Sequence, residues 1–88
     1  MVESTSIVMY SRERFCPDVA RSRARLAELG LVWTEHDIEF DENAAEDVER
    51  LTGRRTVPTV VIGSSILIEP SNEQLDAALA GAGFNFKR

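Results

Sequence analysis

The sequence predicts an α/β fold whose elements run β-α-β-α-β-β-α and build one four-stranded mixed sheet. Three observations predict it. Short β-prone runs recur at Ile7-Val8-Met9-Tyr10, Leu31 to Ile38, Thr59-Val60-Val61-Ile62 and Ile66-Leu67-Ile68. Segments of helical periodicity, each opened by a cap or proline signal, fill the gaps and the end. Finally, 88 residues leave room for one domain, 1–88, with a small core that folds without metals or cross-links.

The first run ends in the polar segment Ser11-Arg12-Glu13-Arg14, so strand gives way to loop. After Cys16-Pro17, apolar residues recur as Val19, Ala20, Ala24, Leu26 and Ala27, while Arg21, Arg25 and Glu28 share another face. That pattern is an amphipathic helix with Pro17 in its first turn and a stop at Gly30. The β-branched and aromatic content of Leu31 to Ile38 fits a second strand. Asp41-Glu42-Asn43 offers oxygen-bearing caps for a second helix, and Asn43 with Glu46 has capping-box spacing. Its inward residues are Ala45, Val48 and Leu51 or Thr52, with Gly53 as the left-handed stop. Gly63-Ser64-Ser65 separates the last two runs as a short hairpin turn. Pro70-Ser71-Asn72-Glu73-Gln74 announces the last helix, again with capping-box spacing between Ser71 and Gln74, and with Leu75, Ala78, Leu79 and Ala82 inward.

A net charge of -5 argues against general nucleic-acid binding, because phosphate backbones reward basic surfaces. No apolar run approaches the roughly 20 residues that span a bilayer, so no membrane association is expected. Met1-Val2-Glu3-Ser4-Thr5-Ser6 lacks the layout of a secretory signal, so a cytoplasmic location is expected. The chain has one cysteine and therefore no internal disulfide. Cys16 is either a buried small hydrophobe or a reactive thiol. Its place at the mouth of a helix favours the second, because unpaired N–H groups and the helix dipole stabilise a thiolate there. Arg12 and Arg14 add positive potential nearby, and Asp18 opposes it if its carboxylate points inward. Pro58, just before the third strand, sits where a proline withholds no ladder hydrogen bond.

Taken together, these residues resemble the glutaredoxin family, a thioredoxin-like fold, from Ile7 to about Leu79. The matching pieces are the Tyr10-Ser11 strand exit, Cys16-Pro17, the Gly30 helix end, Asp37-Ile38 and Thr52-Gly53-Arg54-Arg55-Thr56-Val57-Pro58. Glu69-Pro70-Ser71 is similar to the mycoredoxin branch, which has Asn-Pro-Ser there. The resemblance implies that Cys16 attacks a mixed disulfide, that Pro58 is cis, and that the Val57 backbone pairs with the bound thiol compound. Pro17, Arg55 and Thr56 join Val57 and Pro58 as implied substrate-binding residues. Two departures stand out. The dithiol motif Cys-Pro-x-Cys becomes Cys16-Pro17-Asp18-Val19, which removes the dithiol cycle. The loop from Tyr10 to Cys16 is also one residue longer, so neither Arg12 nor Arg14 aligns with the family's basic position.

Other residues have plainer readings. His36, the only histidine, lacks partners at metal-ligand spacing, so no metal site is expected. Trp33 alternates with Glu35 and Asp37 and packs under a helix or at a sheet edge. Phe15 flanks a bound disulfide or packs inward. The acidic run from Glu35 to Glu49 is a solvated face. Arg54 and Arg55 meet a substrate carboxylate or offset that acidic run. Phe84 and Phe86 cap the core.

The expected function is that of a monothiol thiol–disulfide oxidoreductase exchanging small-thiol mixed disulfides through Cys16. Mycothiol, glutathione or bacillithiol would be the co-substrate, with no tightly bound cofactor, proteins carrying mixed disulfides as partners, and a monomeric state. The alternative is a glutaredoxin-fold module without turnover, serving as an adaptor or as a thiol-ligated iron–sulfur carrier.

Overall fold

The computed structural model describes residues 6–84, so residues 1–5 of the N-terminal segment and Phe86 lie outside the described residues. Its elements are β1 (Ile7–Ser11), α1 (Pro17–Glu28), β2 (Thr34–Asp37), α2 (Glu42–Thr52), β3 (Thr59–Ile62), β4 (Ser65–Ile68) and α3 (Asn72–Gly81). The sheet order is β2-β1-β3-β4. β1 pairs parallel with β2 and antiparallel with β3, and β3 pairs antiparallel with β4. The expected α/β class and mixed sheet are what the chain forms.

Strand alternation decides what each face of the sheet presents. Ile7, Met9, Val60 and Ile62 point to one face, where they meet Val19 and Leu26 of α1 and Leu75 and Leu79 of α3 in the main core. Val8, Tyr10 and Val61 point to the other, where Ala44 and Val48 of α2 pack with Ile38. Each fully buried leucine or valine contributes about 1.5–3 kcal/mol by leaving water. Trp33 and Phe84 pack partly buried against the main core, in line with their expected roles.

Several boundaries differ from the sequence reading. β1 extends one residue further, because Ser11 pairs with Asp37 in the β1–β2 register and its hydroxyl donates to Glu35 at 2.7 Å. β2 is shorter than Leu31 to Ile38 because Leu31 belongs to the exit of α1. The Leu31 N–H donates to Leu26 O at 3.0 Å and the Gly30 N–H to Ala27 O at 3.0 Å. With Gly30 at φ 74°, this is a Schellman stop. The inward stripe of α1 is Val19, Ser22 and Leu26, while Ala24 and Ala27 are exposed. Successive spacings of three and four residues lead from Val19 to Ser22 and on to Leu26, whereas Ala24, five residues from Val19, falls on another face.

In α2 the cap is Asp41, whose Oδ1 accepts from the Ala44 N–H at 3.1 Å, so Asn43 lies inside the first turn and does not form the expected box with Glu46. Ala44 joins Ala45 and Val48 inward, and Leu51 is exposed. Gly53 takes the left-handed stop at φ 82° as expected. The β3–β4 turn has two residues, Gly63 and Ser64, since Ser65 already pairs with Ile62. At α3 the capping box forms as read: the Gln74 N–H donates to Ser71 Oγ at 3.1 Å, and the Ser71 N–H to Gln74 Oε1 at 2.8 Å. Arg25 then ties α1 to α3 with a fork onto Asp76, Nε to Oδ1 at 2.9 Å and Nη2 to Oδ2 at 2.6 Å.

Candidate active site

β1 carries the chain to the end of the sheet, the loop from Arg12 to Phe15 turns it, and Cys16 opens α1. Cys16 occupies the N-cap in extended conformation (φ -143°, ψ 116°), and its carbonyl accepts the first helical bond from the Ala20 N–H at 2.9 Å. Pro17 at the first helical position has no N–H. The N–H groups of Asp18 and Val19 are therefore the ones that the helix itself cannot satisfy, and they belong to the turn directly beneath an N-cap side chain. Cys16 makes no side-chain cap bond. Three residues before Val19, it continues the inward stripe of α1 and is only 9% exposed, with its thiol free of disulfide.

The segment before β3 lies at the same end of the sheet, because Tyr10 near the end of β1 pairs with Thr59 at the start of β3. Val57 packs against the core cluster that includes Cys16, and the Val57–Pro58 peptide bond is cis. Pro58 is buried. Two bonds fix this segment: Thr59 Oγ1 donates to Thr56 O at 2.8 Å, and the Glu69 N–H donates to Pro58 O at 2.8 Å. Glu69 reaches this position in the left-handed region, at φ 48°. Cys16 and Pro17 follow the end of β1, while Thr56, Val57 and Pro58 precede the strand that pairs with it, so segments from distant parts of the sequence share one end of the sheet.

The charged candidates divide. Arg14, exposed, is drawn to Glu39, with Nη2 to Oε2 at 2.7 Å and Nε to Oε1 at 3.3 Å. Asp18 pairs with Arg21 at 3.0 Å on the half-exposed flank of α1. Arg55 is held by two acids of α2, Glu42 at 3.1 Å and Glu49 at 3.1 Å. These contacts hold Arg55 against the acidic helix, the second of its two expected settings. Arg12 is half-buried, and its Nε is buried without a hydrogen-bond partner among the described residues. Phe15 does not pack inward: it is 80% exposed.

One group escaped the sequence reading. Glu35 of β2 accepts from Arg23 Nε at 3.1 and 3.0 Å, from Trp33 Nε1 at 3.0 Å and from Ser11 Oγ at 2.7 Å, and Arg23 Nη2 also donates to it. The Arg23 hydrogen bonds, more than those from Trp33 and Ser11, hold its carboxyl down at about 2. Arg23 is itself raised above its ordinary range, first by Glu35 and to a lesser degree by Asp37 and Cys16. The available signal was the alternation of Trp33, Glu35 and Asp37. It sends a carboxylate to the α1 side of the sheet, where it needs a cation.

Among the described residues no group of three or more His, Cys, Asp or Glu side chains is placed to hold a metal ion, and His36 instead lies against Tyr10 with ring centroids 5.8 Å apart. No helix there is long and apolar enough to cross a membrane. A recess of about 250 Å³ lined by Ser6, Ile7, Val32, Trp33 and Thr34 opens at the opposite end of β1 and β2 from Cys16.

The family model described as Glutaredoxin matches residues 7–67. No curated protein matches the chain. Among solved structures, the glutaredoxin (grx-1) from Archaeoglobus fulgidus is 24% identical with a TM-score of 0.73, covering 85% of this chain and 86% of that one. Oxidized glutaredoxin 2 from Chlamydomonas reinhardtii is 27% identical with a TM-score of 0.66, covering 90% and 83%. A buckwheat glutaredoxin–glutathione complex is 20% identical with a TM-score of 0.68, covering 89% and 76%.

Proposed function

The chain belongs to the glutaredoxin family, whose function is of the thiol–disulfide oxidoreductase type, and from that premise we propose that it works by a monothiol mechanism through Cys16. The observation that carries this reading is the position of Cys16 as N-cap of α1, at the end of the sheet where the Val57–Pro58 segment enters β3.

The Cys16 thiolate attacks the small-thiol sulfur of a protein mixed disulfide. A new S–S bond forms on Cys16, the old one breaks, and its electron pair leaves with the protein sulfur, which takes a proton from water. A second small-thiol molecule, as thiolate, then attacks the small-thiol sulfur held on Cys16. The products are a symmetric small disulfide and the Cys16 thiolate. One protein cysteine suffices, and the chain has one. The N–H groups of Asp18 and Val19 and the helix dipole favour the anionic sulfur at the start and end of the cycle.

The Val57 backbone, held by the Thr56 and Pro58 contacts, aligns the small thiol for in-line attack. Arg12, which makes no ion pair among the described residues, is the cation best placed to take a small-thiol carboxylate. Arg55 can do so only by giving up Glu42 or Glu49. Arg14 and Asp18, each paired, modulate the charge around the sulfur. Mycothiol, glutathione and bacillithiol are the candidate co-substrates. The glutathione in the buckwheat complex supports the second of these, and Glu69-Pro70-Ser71 the first. The same proposal has the chain acting as one monomeric domain in the cytoplasm.

Burial of Cys16 to 9% exposure favours one rival, a binding module without turnover. Intact-mass analysis separates the two. Reduced protein is mixed with glutathione and mycothiol mixed disulfides, and the adduct on Cys16 is followed as it forms and as free thiol removes it. Rapid loading and unloading by one thiol, absent in Cys16→Ser, is expected. A folded protein whose Cys16 stays unmodified by both overturns the reading.

A further inference from the structure

Arg23 follows Cys16 by two turns of α1, so the two side chains leave the helix along nearly the same line, with about 10 Å between their α-carbons. A helical side chain is directed back toward the N-terminus. The Arg23 guanidinium accordingly ends on Glu35, the same carboxylate that takes the Ser11 hydroxyl. Ser11 is buried at the end of β1, where the active-site loop departs. Glu35 thus holds a cation at the level of the sheet end that presents Cys16. The other two basic candidates that make ion pairs are turned elsewhere, Arg14 to Glu39 and Arg55 to α2.

We propose that Arg23 and Glu35 act on Cys16 as an opposed pair, the guanidinium favouring its thiolate and the carboxylate limiting that favour. This rests on the exchange reading of Cys16 and deepens it. Neither side chain touches substrate, so both are positioning residues for charge. The coupling is visible from the other side: an anionic Cys16 is among the groups that hold Arg23 above its ordinary range, after Glu35 and Asp37. Such coupling is reciprocal, so Arg23 favours the anion in equal measure. A pair that only braced the loop would make loss of either partner act alike on the sulfur. A pair acting by charge makes the two losses act oppositely, because one removes the cation and the other frees it from its counter-ion.

The test follows the ultraviolet absorbance of the thiolate against pH in the full chain, over the range in which circular dichroism stays native. Each variant's Cys16→Ser counterpart is subtracted to remove tyrosine and tryptophan. Arg23→Gln should move the midpoint up by about half a pH unit, as expected for one charge at this distance near a protein surface. Glu35→Gln should move it down by about as much. The double variant should return to within about 0.2 of the native midpoint, and Arg23→Lys should stay there too. Below the midpoint, half a unit is about threefold in thiolate, and alkylation of Cys16 by iodoacetamide should change by that factor in the same directions. The remaining charged groups of this end are Arg12, Glu13 and Arg14 on the loop, Asp18 and Arg21 on α1, Asp37 on β2, Arg54 and Arg55 before β3, and Glu69 and Glu73 at the entry to α3. They are the same in every variant and cancel in the comparison.

Shifts of one sign in both single variants overturn the inference, as do no shifts, an Arg23→Lys that behaves like Arg23→Gln, or a native chain with no thiolate step. Should Arg23→Gln fail to fold, the remaining variants decide: a downward shift in Glu35→Gln that the double variant reverses upholds the pair, and an unreversed or absent shift overturns it. Opposed shifts without turnover of any mixed disulfide sink the exchange reading and leave the pair standing. Turnover without opposed shifts does the reverse.

Discussion

Glu35 and Arg23 form the most heavily bonded charge pair of the molecule's redox end, with the carboxylate also accepting from Trp33 and Ser11. Ser11 is the last residue of β1 and the first support of the loop that presents Cys16. The pair therefore links α1, β2 and the base of the active-site loop in one hydrogen-bonded unit.

The pH dependence of stability follows from Glu35. Its carboxyl is lowered from 4.5 to about 2 in the folded chain, so the unfolded state binds the proton first as pH falls. The stabilisation is complete above the unfolded value and disappears as pH drops through the folded one. Because the pair is partly solvated, its size is about 1 kcal/mol. Urea unfolding of the native chain and Glu35→Gln should differ by about that much at pH 7, and the gap should close between about pH 4.5 and 2. A gap independent of pH would deny the charge its role.

Ser22 gives a prediction of opposite sign. Its hydroxyl is fully buried on the inward stripe of α1 and has no hydrogen-bond partner among the described residues. Removing an unpaired buried hydroxyl relieves its desolvation, and alanine is the better helix former. Ser22→Ala should raise stability by about 1 kcal/mol in equilibrium unfolding, with no change in the mass-detected loading of Cys16.

Val19 fills the position one turn below Cys16 and is almost fully buried. Val19→Cys would place a second thiol under the first. Oxidation of that variant should yield a species lighter by two hydrogens with both thiols blocked to alkylation. Loading by small-thiol mixed disulfides should become transient, since the new thiol expels the adduct. A persistent adduct at the native level would show that the two positions do not face one another.

The cations near the site predict different kinetic consequences. Arg12→Gln should raise KM for a carboxylate-bearing small-thiol disulfide about tenfold with little change in kcat, the size of one charge-assisted hydrogen bond. Arg55→Gln should have a smaller effect, because Glu42 and Glu49 already occupy its guanidinium. The reverse order would move the substrate carboxylate to the α2 side.

Element order and the caps at Ser71 and Gly53 were legible in the sequence, because each depends on local chemistry or a compact motif. The sequence leaves the start of α2 open among Asp41, Glu42 and Asn43, and the structure takes Asp41, so the Asn43–Glu46 spacing forms no box. The stripe of α1 was misread because small alanines satisfy either face, so the buried set is fixed by Val19 and Leu26 alone. Tertiary ion pairs were the least legible. Nothing local says that Arg14 meets Glu39, that Arg55 turns back to α2, or that Arg23 is the partner of Glu35.

The strand order leaves β2 at one rim of the sheet, four residues long and carrying Glu35 and Asp37 toward the helical side. A rim strand ordinarily offers its free amides and carbonyls to any passing extended chain. Here a newcomer aligned against β2 would bring its own side chains onto a carboxylate already committed to Arg23, Trp33 and Ser11, within a strand too short to repay the disturbance. The charge that braces the redox loop from beneath thus also makes this rim a poor template for strand addition.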